Sequence, residues 1–366
     1  MINNQSQKGG DGSTNMQAQQ MVVHVGIDEK RAREICQEMN LQLRKDYSRE
    51  ALEIAHSRVN EFENKLMEKM AQVNGAMEAF TDPSFQLLLL EAQRIAAATE
   101  RPADYDLLSE LLVHRFNKGE NRNARAGISL AVEIVDKVSD EALLALTVAH
   151  AVNSFFPMTG DIARGLDTLD SLFGKIIYHE LPNGQEWLDH LDILNAVRIN
   201  GLGSMKKLTQ FYPEVLHGYI DVGILKDSDD HKKAVHILNE NKIPPGILVE
   251  HILNQKFVRL EIAQKQNIKN ITLSRQDLYS GKLVVNNLSE AQISALMEIY
   301  AMYSQDASIK NSNIDSFMLE WNKRPNLQNL MSWWDSISTA FNITSVGRVL
   351  AHSNAQRCDR DLPPMN

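Results

Sequence analysis

The sequence predicts an all-α protein, an irregular multi-helix bundle preceded by a long amphipathic helix and a short N-terminal β segment. Three observations lead there. Aromatic residues make up only 6% of the chain while Leu, Ala, Ile, Glu and Gln abound, a balance that favours helices over a sandwich or barrel. The 18 Gly and 10 Pro are sparse for 366 residues, so helix breakers are few. Apolar residues recur at helical spacing through most of the chain, and a hydrophobic content of 43% suffices for real cores in two or three domains.

Residues 1–26 are the exception to the helical pattern. They hold one Lys, one Asp, many Gln and Asn, and the punctuators Gly9, Gly10 and Gly12, a composition too polar to fold alone. Met21-Val22-Val23-His24-Val25-Gly26 then reads as a short β-branched strand with no partner strand nearby in sequence. It pairs with itself, with another chain, or not at all.

From Asp28, an N-cap followed by the acidic Glu29, the pattern turns helical. Ile35, Met39 and Leu43 form a stripe that breaks near Asp46 and Ser48 and resumes with Ala51, Ile54, Phe62, Leu66 and Met70. Such a long amphipathic helix or helix pair needs a partner surface, either the body of this chain or another copy. Asp82 followed by Pro83 marks the next helix start, with Phe85, Leu88, Leu89 and Ala92 as its buried face. Helices are expected over residues 104–116, 124–138, 140–155, 162–178, 185–195, 205–217, 231–239 and 247–264, with no fixed repeat period. Capping boxes at Ser274 with Asp277 and at Ser289 with Gln292 mark two more starts, and Lys282-Leu283-Val284-Val285 between them reads as a short strand. Trp321, Trp333 and Trp334 indicate a C-terminal packing unit. The resulting division is 1–26, an assembly segment; 27–80, the long helix or helix pair; 81–267, the helical body; and 268–366, a small, mostly helical unit.

A net charge of −9 argues against a broad nucleic-acid surface. Two cysteines, Cys36 and Cys358, at opposite ends of the chain make neither a disulfide framework nor a metal knuckle, and a reducing cytoplasm suits them. The first residues lack the basic start and apolar run of a signal peptide. Residues 142–160 carry no formal charge, but His150, Asn153, Ser154 and Pro157 crowd the second half, which fits a buried core helix better than a membrane span.

Chemical motifs are weak. Lys118, Arg122 and Arg125 flank a polar loop leading into a helix, where guanidinium forks and helix N–H groups bind anions, but a solvated loop capped by Asn121 or Asn123 is the favoured reading because such loops are common. Gly201-Leu202-Gly203-Ser204-Met205-Lys206-Lys207 lacks the Walker spacing and follows no clear strand, so Ser204 is read as a helix cap. His231 and His236 are five apart, His179 runs into Pro182, and no ligand spacing for a metal appears. Asp161, Asp167 and Asp170 suit a solvated acidic face. No nucleophile elbow, kinase signature or cofactor fingerprint is present, so no cofactor is expected.

Lys8-Gly9-Gly10-Asp11-Gly12-Ser13-Thr14-Asn15-Met16-Gln17-Ala18, followed by Val22-Val23-His24-Val25-Gly26, resembles the Gly-Asp-x-Ser-x-Asn-x-Gln segments of bacterial amyloid-signalling sequences, themselves similar to the RHIM motif of necroptosis proteins. Ala18-Gln19 stands where that family has a hydrophobic residue and Gly. The whole chain also resembles an uncharacterised bacterial family known by locus names, through Asp82-Pro83-Ser84-Phe85-Gln86, Gly119-Glu120-Asn121-Arg122-Asn123 and Thr344-Ser345-Val346-Gly347-Arg348-Val349-Leu350-Ala351. These resemblances imply a bacterial cytoplasmic setting and a role in defence or intracellular conflict. In them Gly10, Asp11, Ser13, Asn15, Gln17, Val22, Val23, Val25 and Gly26 are the assembly residues.

The expectation is therefore a non-enzymatic protein that forms a homo-oligomer through its N-terminal segment while its helical body meets a protein partner. Stacking of short β-prone, amide-rich stretches gives that segment a physical route to association. The alternatives are a nucleotide- or phosphate-binding sensor or enzyme using the loop of Lys118, Arg122 and Arg125, and a membrane-active effector exposing residues 142–160.

Overall fold

A computed structural model describes residues 27–43, 49–117, 121–276 and 283–365. The chain first forms α1 (Glu29–Leu43) and α2 (Arg49–Gln72), with Asp28 capping α1 through the Arg31 N–H at 2.8 Å. The stripe continues inward as Val59, Phe62, Leu66, Met67 and Met70, all buried. Its partner surface is the chain's own body, α3 (Pro83–Ala98) and α4 (Pro102–Asn117). Charged flanks follow the apolar seam: Lys65 reaches Asp106 at 2.5 Å, and Lys69 pairs with Glu110. Asp82 caps α3 with Pro83 in the first turn, as its sequence demands.

The body continues through α5 (Arg122–Glu133), α6 (Asp140–Ser154), α7 (Ile162–Ile176) and α8 (Glu186–Ile193). Eleven consecutive residues of α6, Ala142 to Val152, are buried, which explains why this stretch carries no charge. Among the described residues no helix is long and apolar enough to cross a membrane. Strand β1 (Val197–Asn200) precedes α9 (Leu208–Val215) and α10 (His217–Ile220), and the chain then enters a second unit. That unit comprises β2 (Ile224–Leu225), α11 (Asp229–Glu240), β3 (Leu248–Glu250), β4 (Phe257–Leu260), β5 (Thr272–Gln276), β6 (Leu283–Asn287) and α12 (Glu290–Ala301). The remaining elements are α13 (Ala307–Asn322), α14 (Pro325–Ser336), β7 (Ala340–Ile343) and α15 (Ser345–Cys358).

The fold is thus mostly helical but not all-α: β1 pairs with β7, β4 lies between β2 and β3, and β5 pairs with β6, every pair antiparallel. Residues 247–264, expected as a helix, form a strand, a turn and a strand instead. The turn is built on Asn254, whose carbonyl accepts the Phe257 N–H at 3.0 Å, and the β-branched and aromatic residues on either side suit the ladder better than a helix. Ser274 lies in β5 rather than capping a helix, whereas Ser289 and Gln292 form the expected box on α12. The strand read at Lys282-Leu283-Val284-Val285 corresponds to β6. Ser204 caps nothing, since α9 begins four residues later, and β1 does precede that glycine loop.

The larger core runs from Ala32 on α1 to Ala355 on α15, and α15 is central to it, packing against α4, α5, α6 and α7. Gly347 makes that packing possible, because a Cβ there would lie 2.0 Å from the Ala196 carbonyl oxygen. The smaller core gathers Ile224, Leu238, Val258, Leu260, Leu296 and Ile299. Arg259 stitches the two together. Only 2% exposed, its guanidinium donates to the carbonyls of Gly218 (3.0 Å), Leu260 (3.0 Å), Ile262 (3.1 Å) and Gly160 (2.6 Å).

Candidate ligand cleft

Helix α6 ends at Ser154 and cannot continue, since Pro157 lacks the donor and disfavours a helical residue before it. Residues 155–158 cross to Asp161, which caps α7 by accepting the Arg164 N–H at 3.0 Å. After α15 the chain turns at Asp359, whose N–H bonds Ala355 O at 2.8 Å, and comes back across the end of the bundle. Between these segments lies a cleft of about 860 Å³, lined by Phe155, Phe156, Pro157, Leu169, Leu172 and Leu362 and edged by Ser154, Lys175, Asp167, Asp359 and Asp361. The volume falls in the range of small-molecule sites, which are mostly apolar with a few placed polar groups.

A hydrogen-bonded relay stands behind its wall. Ser154 Oγ meets His150 Nδ1 at 3.2 Å, His150 Nε2 meets His352 Nδ1 at 3.2 Å, and His352 Nε2 meets the Pro363 carbonyl at 3.1 Å. The carbonyl only accepts, so His352 Nε2 carries the proton, and in the neutral ring Nδ1 is then an acceptor. His150 must therefore donate from Nε2 and accept at Nδ1, and the Ser154 hydroxyl proton points at His150. Both rings are buried, and burial, then the neighbouring His352 and Arg348, depress His150 to about 3.

This chain resembles a nucleophile activated by a base, but two facts oppose that use. An imidazole that binds a proton only near pH 3 is a feeble base at neutral pH. Ser154 also sits at the electronegative C-terminal end of α6, where a developing oxyanion is disfavoured. What the relay does is fix the hydroxyl, leaving its lone pairs as acceptors. The same contacts anchor the returning tail, with Gln356 Nε2 donating to Leu362 O (3.4 Å) and Pro363 O (3.3 Å). Lys175 is paired with Asp359 at 2.9 Å, which holds its ammonium above the usual lysine range.

Of the residues singled out by motif, Asp167 lines this cleft and the other described ones do not. Gly10, Asp11, Ser13, Asn15, Gln17, Val22, Val23, Val25, Gly26 and Lys118 lie outside the described residues. Arg122 is the exposed first residue of α5, and Asn121 is its cap, accepting the Ala124 N–H at 3.1 Å. Arg125 is half-buried and directs its charge at Asp82. Burial works against the Asp82 charge, but the Ser84 hydroxyl and N–H, with Arg115 and Arg125, outweigh it and hold the carboxyl below its usual range. The three acids read as a solvated face take structural parts: Asp161 caps α7, Asp167 pairs with Arg324 at 2.8 Å, and Asp170 accepts the Asn326 N–H at 3.0 Å, seating α14 on α7. His231 Nδ1 accepts the Asp227 N–H at 3.1 Å, and among the described residues no group of His, Cys, Asp or Glu is placed to hold a metal. Both cysteines are free thiols.

The residues that the motif reading missed are His150, Ser154, His352, Lys175, Asp359 and Asp361. A signal existed for two of them, since His150 and Ser154 stand four apart on an otherwise apolar helix and so share a face. Nothing local points to His352, 202 residues from its partner.

Fold and site together define a mostly helical protein with a lined cleft at one end of its bundle. A protein-family model matches residues 26–362, nearly the whole chain, and the chain belongs to that family, which is uncharacterised and known by locus names. No curated protein and no solved structure matches it.

Proposed function

We propose that the protein is a non-enzymatic, self-associating binding module, in which the helical body holds a ligand in the cleft and residues 1–26 join copies of the chain. The observation that carries this reading is the cleft itself, about 860 Å³ and lined by apolar side chains with a few polar groups among them. Assembly is supported by the sequence of the N-terminal segment, a β-prone stretch of low charge. Its resemblance to amyloid-signalling segments supports a place in bacterial defence or intracellular conflict.

Two measurements test the two halves. A neutral environment-sensitive dye, N-phenyl-1-naphthylamine, should bind saturably to the wild type. Thr168→Trp should weaken that binding at least about tenfold with an unchanged thermal melt, because Thr168 is exposed on α7 and an indole there fills the mouth. Equal binding by the two proteins removes the cleft as a binding site. For assembly, light scattering should show the full chain as an oligomer and the chain lacking residues 1–26 as a smaller species. An unchanged mass rules out an assembly role for the segment.

A further inference from the structure

The charge on the cleft lining is mostly negative, and its neutral polar side chains are Ser154, Thr168, Ser171 and Gln264. The Ser154 proton is committed to His150 by the order of the relay, so the oxygen offers lone pairs and no hydrogen. Three carboxylates, Asp167, Asp359 and Asp361, line the cleft against one ammonium, Lys175. That ammonium is bound to Asp359 at 2.9 Å, and the guanidinium nearest Asp167, from Arg324, is bound to it at 2.8 Å. Asp361 is exposed, has no hydrogen-bonded cation among the described residues, and acts on Lys175 only at longer range. Its N–H bonds Asp359 Oδ1 at 3.2 Å, which fixes the turn that presents it. Beyond this edge lie the rings of Phe155 and Phe156 and the side chains of Leu169, Leu172 and Leu362.

An apolar chamber whose charged groups are mostly carboxylates is complementary to a molecule with an apolar body and a donating, positive head. An anionic head would face Asp361 beside two further carboxylates, with only the neutral donors of Ser171 and Gln264 to meet it. A neutral apolar molecule would leave the polar edge unmatched.

We propose that the cleft takes an amphipathic primary amine, with its alkyl body on the Phe155, Phe156, Leu169 and Leu172 surface and its ammonium head at the acceptors Ser154 Oγ and Asp361. The inference rests on the cleft reading above and specifies its ligand class. Ser154 is a positioning acceptor that is itself oriented by His150 and His352, and no bond is made or broken.

Calorimetry with decylammonium and decanoate, both below their micelle concentrations, tests it on the full-length protein. Decylammonium should bind at least about tenfold more tightly than decanoate, the scale of one charge-assisted hydrogen bond. Asp361→Asn should reduce that preference to about threefold or less. Ser154→Ala should weaken decylammonium while leaving the neutral dye bound as in the wild type. Decanoate binding as tightly as decylammonium, or a preference untouched by Asp361→Asn, overturns the proposal. If the dye still depends on Thr168 in that event, the cleft remains a binding site for another ligand class. If the dye also ignores Thr168→Trp, the cleft reading fails with it.

Discussion

Replacing Arg259 by Met should lower the free energy of unfolding by about 3–5 kcal/mol, the cost of stranding buried polar groups that lose a charged partner. The side chain lies 2% exposed at the junction of the two cores and meets no carboxylate among the described residues. Its donors are spent on the carbonyls of Gly160, Gly218, Leu260 and Ile262, while Nε has no partner. Burial lowers the guanidinium pKa, yet four carbonyls depend on it. Met restores the volume but satisfies none of them. The backbones here are too close for water to substitute, since a Cβ on Gly160 would lie 1.9 Å from the Glu261 carbonyl carbon. Urea denaturation followed by tryptophan fluorescence measures the loss. A change under about 1 kcal/mol, within the range of an ordinary surface substitution, would show that apolar contact alone holds the junction.

The second large effect is acid sensitivity above the carboxylate range. His150 is depressed to about 3 by burial, with His352 and Arg348 adding to it. His251 is depressed to about 4 by burial and by Arg259, partly opposed by the Asp221 carbonyl and carboxylate. Both imidazoles bind a proton more readily in the unfolded chain, whose ordinary value is about 6.5. Their contribution to stability is therefore complete above pH 6.5 and is lost as the pH falls toward the folded values. Each costs about 1.4 kcal/mol per pH unit across that window, so the pair predicts a loss of about 5 kcal/mol between pH 6.5 and pH 4.5. Denaturant midpoints taken at half-unit intervals should trace this slope, and His150→Gln should remove about half of it. A flat profile from pH 7 to pH 4.5 would mean that these rings are solvated or already charged.

Much of the architecture is legible in the sequence, because its strongest signals are local. Asp82 with Pro83, Asp28 and the Ser289–Gln292 box start helices where their side chains say they should. The uncharged run in α6 is a core helix because burial on all sides leaves no face for a charge. The strands were harder to see. Residues 248–260 pair with one another and with Ile224 and Leu225, so their conformation depends on a neighbour more than 20 residues away, which a periodicity window does not contain. Ser204 and Ser274 were misread for a related reason, since a cap residue means a helix only when a helix follows.

The candidate site was less legible still. Local reading favours runs such as the one from Lys118 to Arg125, where charges cluster in sequence. Here the structure turns Arg125 onto Asp82 and leaves Arg122 exposed. The cleft is assembled from α6, α7 and the segment after α15, and its least conspicuous member, His352, fixes the hydroxyl of a residue nearly two hundred positions earlier. A titratable side chain within the buried, uncharged run of α6, as His150 is, was the one sign that a distant partner exists.

The place of α15 in the larger core also bears on how the protein is made. Its partners α4, α5 and α6 leave the ribosome long before it does, and the 202 residues between His150 and His352 take about 10–40 s to translate at 5–20 residues per second. Throughout that interval the groove that will receive Val349, Leu350 and Ala351 has no occupant. The nascent chain therefore carries an open apolar trough on the helices already made, a surface open to chaperones. Chains that stop before residue 345 keep the trough open for good, because α15 is the helix that fills it.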